Sequence, residues 1–509
     1  MRRWAGQTKA LQLCVVIGIL SNFQPVASES ESVVRKLLSS IVGSQTAERQ
    51  LSTGPNAISC SADYKWASYL DRSYYFYEAQ RSGALPADNR VKWRGNSCLN
   101  DTGPLGQDLA GGHYDAGDHL KMLFPYGTTT AILAWGVLEF NDGYTNSGNL
   151  ATAMETLKWA AEYLMKAHLF KAQAAAKHNG FEQYVAAVGM ARFDHAVWTR
   201  PEDLTTKRPA YLVDATKPSS DLLGGAAAGL AATSMVFKKS NSTFATKCLL
   251  QAQALYVFAS NYEGKYSAYG IEQTYPSTTY LDDLAFAAAW MYKATGSYEY
   301  LEDAREYWDR SHKEDTDNPF VVWYWDNMIW AVDALLLSLP DPLPKYKYEM
   351  GFFFESWMQG WYGVSYTPSG LAWTSDWGPL RNAANAGLLA NIYANKLMKT
   401  DPTEAAKLRC WAQKQLRYIV GDAGRSFVVG MGNNPPSHSH HRGASCPKRS
   451  DTCDWTTGYN PTTSNPHTLY GALIGGPHVD DSFKDTRDNF EQNEPALDFN
   501  AGYTGAFPL

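Results

Sequence analysis

Three groups of polar residues in this chain have the types and spacing needed for chemistry, and the first is a turn with two aspartates. It runs from Gly111 to Asp118 and reads GGHYDAGD. Two carboxylates three residues apart can point into one pocket, where each shifts the proton affinity of the other. Asp118 or Asp115 would then accept a proton from water while the other orients that water. An Asx-type turn with solvated acids explains the same spacing at least as well.

The second group is a histidine-rich loop from Gly432 to Gly443, which contains His438, His440 and His441. A zinc or copper site is one interpretation of this His-x-His-His pattern. No matched cysteine pair and no His-Glu-x-x-His helix accompanies it, and Arg442 disfavours a cation. We therefore favour a hydrogen-bonding surface for hydroxyl groups, with the metal interpretation as the alternative.

The third group lies near the C-terminus and contains Asp485, Glu494 and Asn500. Glu494 is surrounded by apolar and aromatic residues, a setting that raises the pKa of a carboxyl group. A raised pKa suits a general acid. An acidic C-terminal loop without a catalytic role is the alternative interpretation.

The composition limits the classes of function. Of the 509 residues, 17 are Trp and 31 are Tyr, more than a core alone requires, which indicates flat stacking surfaces such as those that bind sugar rings. The net charge of -6 excludes a nucleic-acid-binding protein that works through a basic face. A hydrophobic content of 45% argues against disorder.

The N-terminus predicts secretion. A basic start precedes an apolar run from Leu11 to Leu20, and the small residues Val26 and Ser28 follow. This is the layout of a cleaved signal peptide, here residues 1–28. The run is shorter than the roughly 20 apolar residues of a membrane span, so we predict no membrane anchor.

We predict a tether over residues 29–60 and one domain over residues 61–509. Leu222–Phe237 is apolar but interrupted by small residues, which predicts a buried helix. Long loops at Ser82–Pro125, Asn179–Ser220 and Gly421–Arg487 are expected to build a cleft. About a dozen helix-like segments predict an all-α fold of stacked helical hairpins, which can close into a ring. These segments are Ala62–Arg81, Thr128–Asn141, Thr152–Lys177, Asp221–Lys238, Thr243–Tyr262, Leu281–Thr295, Tyr298–Ser311, Trp325–Leu339, Lys345–Trp361, Leu380–Met398 and Thr403–Val420.

Six cysteines remain after removal of the signal peptide, an even number that fits a secreted protein. A local bridge between Cys446 and Cys453 is plausible, and Cys60 with Cys98 would tie down the N-terminal segment. The sequence leaves the pairing open. Asn100 and Asn241 stand in glycosylation sequons.

The three groups together resemble glycoside hydrolase family 9, the endoglucanase family, from about Tyr64 to the end of the chain. The first group keeps DLAGGHYDAGDHLKMLFP, and the second keeps the His440-x-Arg442 pair but has Ser439 where the family usually has Pro or an aliphatic residue. The segments WTRPEDLTT, SDLLGGAAAGLAA, YLDDLAFAAAWMYKATG and WGPLRNAANA also match. The histidine-rich loop is most similar to the animal branch. The third group matches the C-terminal signature at Phe483, Asp485, Phe490, Glu494, Ala496, Asn500 and Ala501.

The resemblance implies an (α/α)6 barrel with an open cleft and hydrolysis of internal β-1,4-glucosidic bonds with inversion. It implies that Asp118 is the general base, that Asp115 holds the attacking water and that Glu494 is the proton donor. Inversion requires room for water, so the carboxyl groups of Asp118 and Glu494 are expected roughly 6.5–9.5 Å apart.

The resemblance also assigns residues around the reacting groups. His440 and Arg442 would bind sugar hydroxyls, Asp485 would support their loop, and the sugar-binding cleft would be lined by His195, Trp198 and Trp377. Asn382 and Phe499 replace tyrosines that relatives often carry, so subsites there are expected to be weaker.

Some relatives bind calcium at a segment that matches Asp282 and Asp283, with a further ligand at Asp326. Carboxylate and carbonyl oxygens suit calcium, but Thr279 replaces a common glycine. Acids favoured by the helix dipole at an N-terminus are the equal alternative. No cofactor is expected for the chemistry itself.

We expect a monomer whose partner is a polysaccharide such as cellulose, with no nucleic acid or membrane involved. Three alternatives stay open: an exo-acting or different β-glucan hydrolase, a non-catalytic sugar-binding toroid, and a metal protein that uses the histidines of the second group. The absence of a separate carbohydrate-binding module favours amorphous or soluble glucan.

Overall fold

The computed structural model describes residues 60, 65–169, 182–269, 274–314, 321–339, 342–460 and 462–507. The predicted signal peptide and, apart from Cys60, the predicted tether lie outside the described residues. Helices dominate the described part, which confirms the predicted all-α class.

Twelve longer helices in this part form the framework and are numbered in chain order. They are α1 Trp66–Gln80, α2 Leu123–Glu139, α3 Leu150–Lys166, α4 Ser220–Phe237, α5 Ser242–Asn261, α6 Leu281–Thr295, α7 Tyr298–Glu314, α8 Ile329–Leu337, α9 Pro344–Gln359, α10 Pro379–Leu397, α11 Pro402–Ile419 and α12 Leu497–Gly505. Short helices lie at Asn141–Asn146, Ala191–Asp194, Arg442–Ser445 and Phe490–Asn493, and 3-10 turns at Pro201–Asp203 and Tyr266–Tyr269.

The even-numbered helices contact one another in a closed ring: α2 with α4, α4 with α6, α6 with α8, α8 with α10, α10 with α12 and α12 with α2. Each odd-numbered helix packs on the outside of one of them: α1 on α12, α3 on α2, α5 on α4, α7 on α6, α9 on α8 and α11 on α10. This is the predicted (α/α)6 barrel of six hairpins.

The inner helices are buried on nearly all sides because their sequences are rich in alanine and glycine. Where α2 crosses α4, a Cβ on Gly127 would lie 2.5 Å from the amide nitrogen of Ala226, and a Cβ on Gly229 would lie 2.7 Å from the Gly127 oxygen. Glycine is therefore required for this close approach. Among the described helices, α4 alone is long and apolar enough to cross a membrane, but 89% of it is buried inside the protein, which confirms the predicted core helix.

The outer helices are amphipathic, as α3 shows by burying Leu157, Ala160, Ala161 and Leu164. The prediction that this helix continues to Lys177 is wrong. It ends at Lys166, because His168 and Leu169 pair as a strand with Tyr184 and Gln183.

A small antiparallel sheet occupies parts of the predicted loops Ser82–Pro125 and Asn179–Ser220 and part of the predicted helix Thr152–Lys177. Its strands are β1 Lys121–Met122, β2 His168–Leu169, β3 Gln183–Val188 and β4 Ala210–Asp214, and β3 pairs with each of the others. The loop predicted at Asn179–Ser220 is thus partly strand. A two-stranded ribbon, β5 Ser365–Tyr366 and β6 Ala372–Trp373, precedes α10.

Two disulfides are present. Cys446 bonds to Cys453, as predicted, and Cys60 bonds to Cys410, 350 residues away. The suggested pair of Cys60 with Cys98 is wrong: Cys98 is a free thiol that accepts a hydrogen bond from the Tyr114 hydroxyl at 3.0 Å. The partner of Cys60 therefore lies on α11, which the barrel brings next to the start of α1.

Candidate active site

One cleft of about 730 Å³ contains most of the predicted site residues. The lining residues come from the segments that lead into the inner helices, or from the first turns of those helices. Asp115 and Asp118 precede α2, His195 and Trp198 precede α4, and Glu494 precedes α12. The barrel therefore brings together groups that are almost 400 residues apart.

The turn before α2 holds the first carboxylate. Asp118 Oδ1 accepts a hydrogen bond from the Leu120 amide at 3.0 Å, and Oδ2 lies 2.8 Å from His195 Nε2. The hydrogen bond to Asp118 raises the pKa of His195, with burial opposing it. Asp118 is thus held by two donors with its carboxylate in the cleft.

Glu494 is held against the same turn. Its Oε1 accepts a hydrogen bond from the Gly117 amide at 3.0 Å. Burial and the negative charge of Asp118 raise the pKa of Glu494 to about 8, although the Gly117 amide opposes the shift. At neutral pH this carboxyl group keeps its proton, the state a general acid needs.

Asp115 is buried and lines the same cleft. The Tyr275 hydroxyl donates a hydrogen bond to Asp115 Oδ2, while Oδ1 has no hydrogen-bond partner. Burial raises the pKa of Asp115 well above its usual range. Asp115 Oδ1 is itself buried, although Asp115 is one of the residues that line the cleft.

The histidine-rich loop packs directly on the turn. The Arg442 amide donates to the Gly117 oxygen at 2.9 Å, and the His440 amide donates to the Asn493 oxygen at 3.0 Å. His440 Nδ1 lies 2.6 Å from the Arg487 carbonyl oxygen, which can only accept, so Nδ1 carries the proton and Nε2 is an acceptor. Burial lowers the pKa of His440 to about 4, so the ring is neutral.

The Arg442 side chain is buried and forms an ion pair with Asp194, a residue that sequence reasoning missed. Burial works against ionisation of Asp194, but His119 and Arg442 together hold its pKa well below the usual range. The carboxylate therefore fixes the Arg442 guanidinium. The one signal in the sequence was the position of Asp194 immediately before His195.

Trp198 and Trp377 both line the cleft but differ in exposure. Trp377 is 48% exposed in the cleft, as expected of a sugar-stacking surface, but Trp198 is only 2% exposed. Trp198 lies 5.2 Å from the His440 ring and donates its indole N–H to Ser445 at 2.9 Å. Trp198 therefore packs against the histidine-rich loop and supports it. Asn382 and Phe499 also line the cleft.

Asp485 is not among the cleft-lining residues. Its carboxylate accepts hydrogen bonds from the Ser437 amide at 2.9 Å, the His438 amide at 3.2 Å and the Asn493 side chain at 3.1 Å. Asp485 therefore holds the histidine-rich loop in place, which is the supporting role that the resemblance implies.

The three histidines do not converge on a common point. His441 Nδ1 accepts from the Ala444 amide at 3.0 Å, and His438 Nδ1 lies 3.2 Å from Asp485. In the part of the chain that is described, the only His, Cys, Asp or Glu group with metal-ligand spacing is Asp118, Asp194 and His195. Because Arg442 pairs with Asp194, that group does not favour a cation.

Two of the predicted calcium ligands accept hydrogen bonds from the protein. Asp326 accepts hydrogen bonds from the Thr278 amide at 2.9 Å and hydroxyl at 2.7 Å, and Asp282 accepts one from the Met328 amide at 2.6 Å. Among the described residues, the carboxylates of Asp282, Asp283 and Asp326 do not form a three-ligand group. The geometry favours the alternative, acids that tie a helix N-terminus to its neighbours.

Comparisons with known proteins agree with this arrangement. The family model of glycosyl hydrolase family 9 matches residues 66–507. Endoglucanase A of Bacillus pumilus is 37% identical over 457 residues, which are 87% of this chain and 66% of the relative, so the chain spans just under two thirds of that protein. Endoglucanase 5 of Arabidopsis thaliana is 35% identical, over 87% of this chain and 74% of the relative.

Solved structures give the same result. The endoglucanase of the termite Nasutitermes takasagoensis has 40% sequence identity and a TM-score of 0.80, over 87% of this chain and 98% of that one. A cellulase of C. cellulolyticum in complex with cellobiose has 32% identity and a TM-score of 0.78, over 88% of this chain and 98% of that one.

Proposed function

The chain belongs to glycosyl hydrolase family 9, and we propose that it is an endoglucanase that hydrolyses internal β-1,4-glucosidic bonds of cellulose and related glucans. One observation carries the proposal: Glu494, whose pKa is raised to about 8, faces Asp118 in an open cleft rimmed by aromatic side chains. A protonated carboxyl group and a second carboxyl group in one cleft are the parts of a two-carboxylate glycosidase.

In the proposed mechanism, Glu494 donates its proton to the leaving glycosidic oxygen. Asp118 takes a proton from a water molecule, and this water attacks the anomeric carbon from the opposite face with inversion. We assign to Asp115, which also lines the cleft, the role of orienting that water. Before the next turnover, Asp118 releases the proton it took from water and Glu494 takes one up from solvent. His195 maintains the orientation of Asp118 through the 2.8 Å contact.

The substrate is held by neutral acceptors and aromatic faces. His440 Nε2 accepts from a sugar hydroxyl, and Arg442, fixed by Asp194, donates at the same point. The exposed rings of Trp377 and Trp455 are linked to His440 through two different rings, Phe490 and Trp198. This favours a chain that passes through the cleft over one that ends inside. This favours internal cutting over exo action.

Carboxymethyl cellulose tests the proposal. An endo-acting enzyme lowers the viscosity of the solution rapidly while few reducing ends form. Steady release of one small sugar would indicate the exo-acting alternative. NMR of the first products should show the α anomer, and a β anomer would exclude inversion. Binding of cellotetraose without turnover would indicate the non-catalytic toroid.

We further propose that the protein is a secreted monomer of the animal branch. The N-terminal sequence pattern and the two disulfides support export to an oxidising compartment. The 40% identity to the termite enzyme supports the branch. A secreted, glycan-bearing product of the predicted size on expression in insect cells is the expected result.

A further inference from the structure

Two series of neighbouring aromatic rings in the cleft begin at His440. In one, Phe490 lies 5.9 Å from His440 and 5.9 Å from Trp377. In the other, Trp198 lies 5.2 Å from His440 and 5.5 Å from Trp455. Because Trp198 is buried, Trp455, which is 47% exposed, is the ring that faces solvent in this series.

Hydrogen bonds hold both the Trp455 ring and the backbone turn that carries it. Its indole N–H donates a hydrogen bond to the Ala196 oxygen at 3.1 Å. The preceding residue, Asp454, accepts hydrogen bonds at 2.8 and 2.9 Å from the amides of the two residues that follow Trp455. An exposed ring that is held this way loses little entropy when a ligand covers it.

The disulfide between Cys446 and Cys453 ties the segment that carries Trp455 to the end of the short helix Arg442–Ser445. This segment packs closely on Trp198, since a Cβ on Gly458 would lie 2.6 Å from Cys453 Sγ and 2.7 Å from Trp198 Cδ1. The position of Trp455 relative to the catalytic turn therefore depends on this disulfide.

We propose that Trp455 is a platform that binds one glucosyl unit at the end of the cleft opposite Trp377, and that the Cys446–Cys453 disulfide holds it there. This proposal rests on the proposed function. It adds that Trp455 makes the enzyme prefer long glucan chains over short ones. The axial C–H face of a β-linked glucosyl ring is apolar and flat, and it complements an indole face whose edge is already hydrogen-bonded. The Trp455 face also lines the cleft, which a scattered surface tryptophan does not do.

Trp455→Ala tests this proposal through the dependence on chain length. We expect kcat/KM for cellohexaose to fall about tenfold, which corresponds to about 1.4 kcal/mol, with a much smaller change for cellotriose. Trp455→Phe should retain most of the activity on cellohexaose. Tyr298→Ala removes an exposed aromatic ring at the start of α7, outside the cleft, and serves as the matched control.

The disulfide is tested in the same assay. Substitution of both Cys446 and Cys453 by Ser should reproduce much of the cellohexaose loss, and the addition of Trp455→Ala should add little, because both act through one platform. Equal losses for both chain lengths, or none for either, would overturn the proposal.

A binding measurement separates this inference from the proposed function. In the Glu494→Gln background, calorimetry should show cellohexaose binding about tenfold weaker when Trp455 is also replaced by Ala. If the wild type proves inactive on every glucan but this difference in Kd appears, the platform is supported and the proposed function fails. If the wild type is active and the Kd is unchanged, the platform is wrong and the function stands.

Discussion

Replacement of Glu494 by Gln tests the reasoning about the proton donor. Gln keeps the shape and can still accept the hydrogen bond from the Gly117 amide, but it has no proton to donate. We expect turnover on carboxymethyl cellulose to fall at least about 10³-fold, within the range for loss of a general acid. Calorimetric binding of cellotetraose should be largely retained.

The Glu494→Gln variant should also be more stable than the wild type, but only above about pH 4.5. The pKa of Glu494 is about 8 in the folded protein against an ordinary value of 4.5. Below about pH 4.5 both folded and unfolded chains hold the proton, so the variant gains nothing. As the pH rises towards 8, only the unfolded wild type ionises, and the wild type loses up to about 1.4 kcal/mol per pH unit.

At pH 7 the variant should therefore gain about 1–3 kcal/mol in the free energy of unfolding, the lower figure allowing for water that reaches the carboxyl group. Urea unfolding at pH 4.5 and pH 7 measures the difference, with Glu491→Gln as the control for loss of a cleft carboxylate. Equal stability of the variant and the wild type at both pH values would refute the raised pKa. Retained turnover would refute the assignment of Glu494 as the acid.

Three further predictions concern the surroundings of the site. Gly117→Ala should abolish activity, because the added Cβ would lie 1.9 Å from the His440 backbone oxygen. Gly106→Ala is the control: no atom lies within 4 Å of the added Cβ, so kcat should be nearly unchanged although alanine is strained at this positive φ. Asp194→Asn should cost about 3–5 kcal/mol in urea unfolding, since it leaves the buried Arg442 charge unpaired, and full stability would show that the ion pair is unimportant. Chelation by EGTA should leave Tm unchanged, because Asp282 and Asp326 already accept protein hydrogen bonds, and a lower Tm would restore the calcium prediction.

The barrel helices were predictable because their signals are local. The predicted segment Leu281–Thr295 coincides with α6, which starts with two acids in its first turn and ends at Gly296 in a left-handed conformation with φ of 75°. Acids favour the N-terminus of a helix and glycine favours its end. The alanine- and glycine-rich core helix α4 was likewise predicted to within one residue.

What the sequence could not supply depends on distant contacts. Strand β3 forms because the chain on either side returns to pair with it, and no local pattern encodes that return. Cys60 was assigned the wrong partner for the same reason. Trp198 has the residue type of a sugar-stacking platform, but the loop with Trp455 covers it, and burial of this kind is a tertiary property.

The candidate site shows the same division. Asp115, Asp118 and Glu494 were identified from motifs, and the structure places all three in one cleft. Tyr275 and Asp194 were missed because each acts through a neighbour from another segment of the chain. A residue that orients another residue is recognised from their contact in the structure.

The bond between Cys60 and Cys410 closes a covalent loop around nearly the whole barrel. A protease that cuts a surface loop anywhere within it leaves two fragments that remain joined. Nicked enzyme would then migrate as a single band on a non-reducing gel and as two bands after reduction. In a compartment rich in digestive enzymes, such a molecule can keep its fold and its cleft after the backbone has been broken.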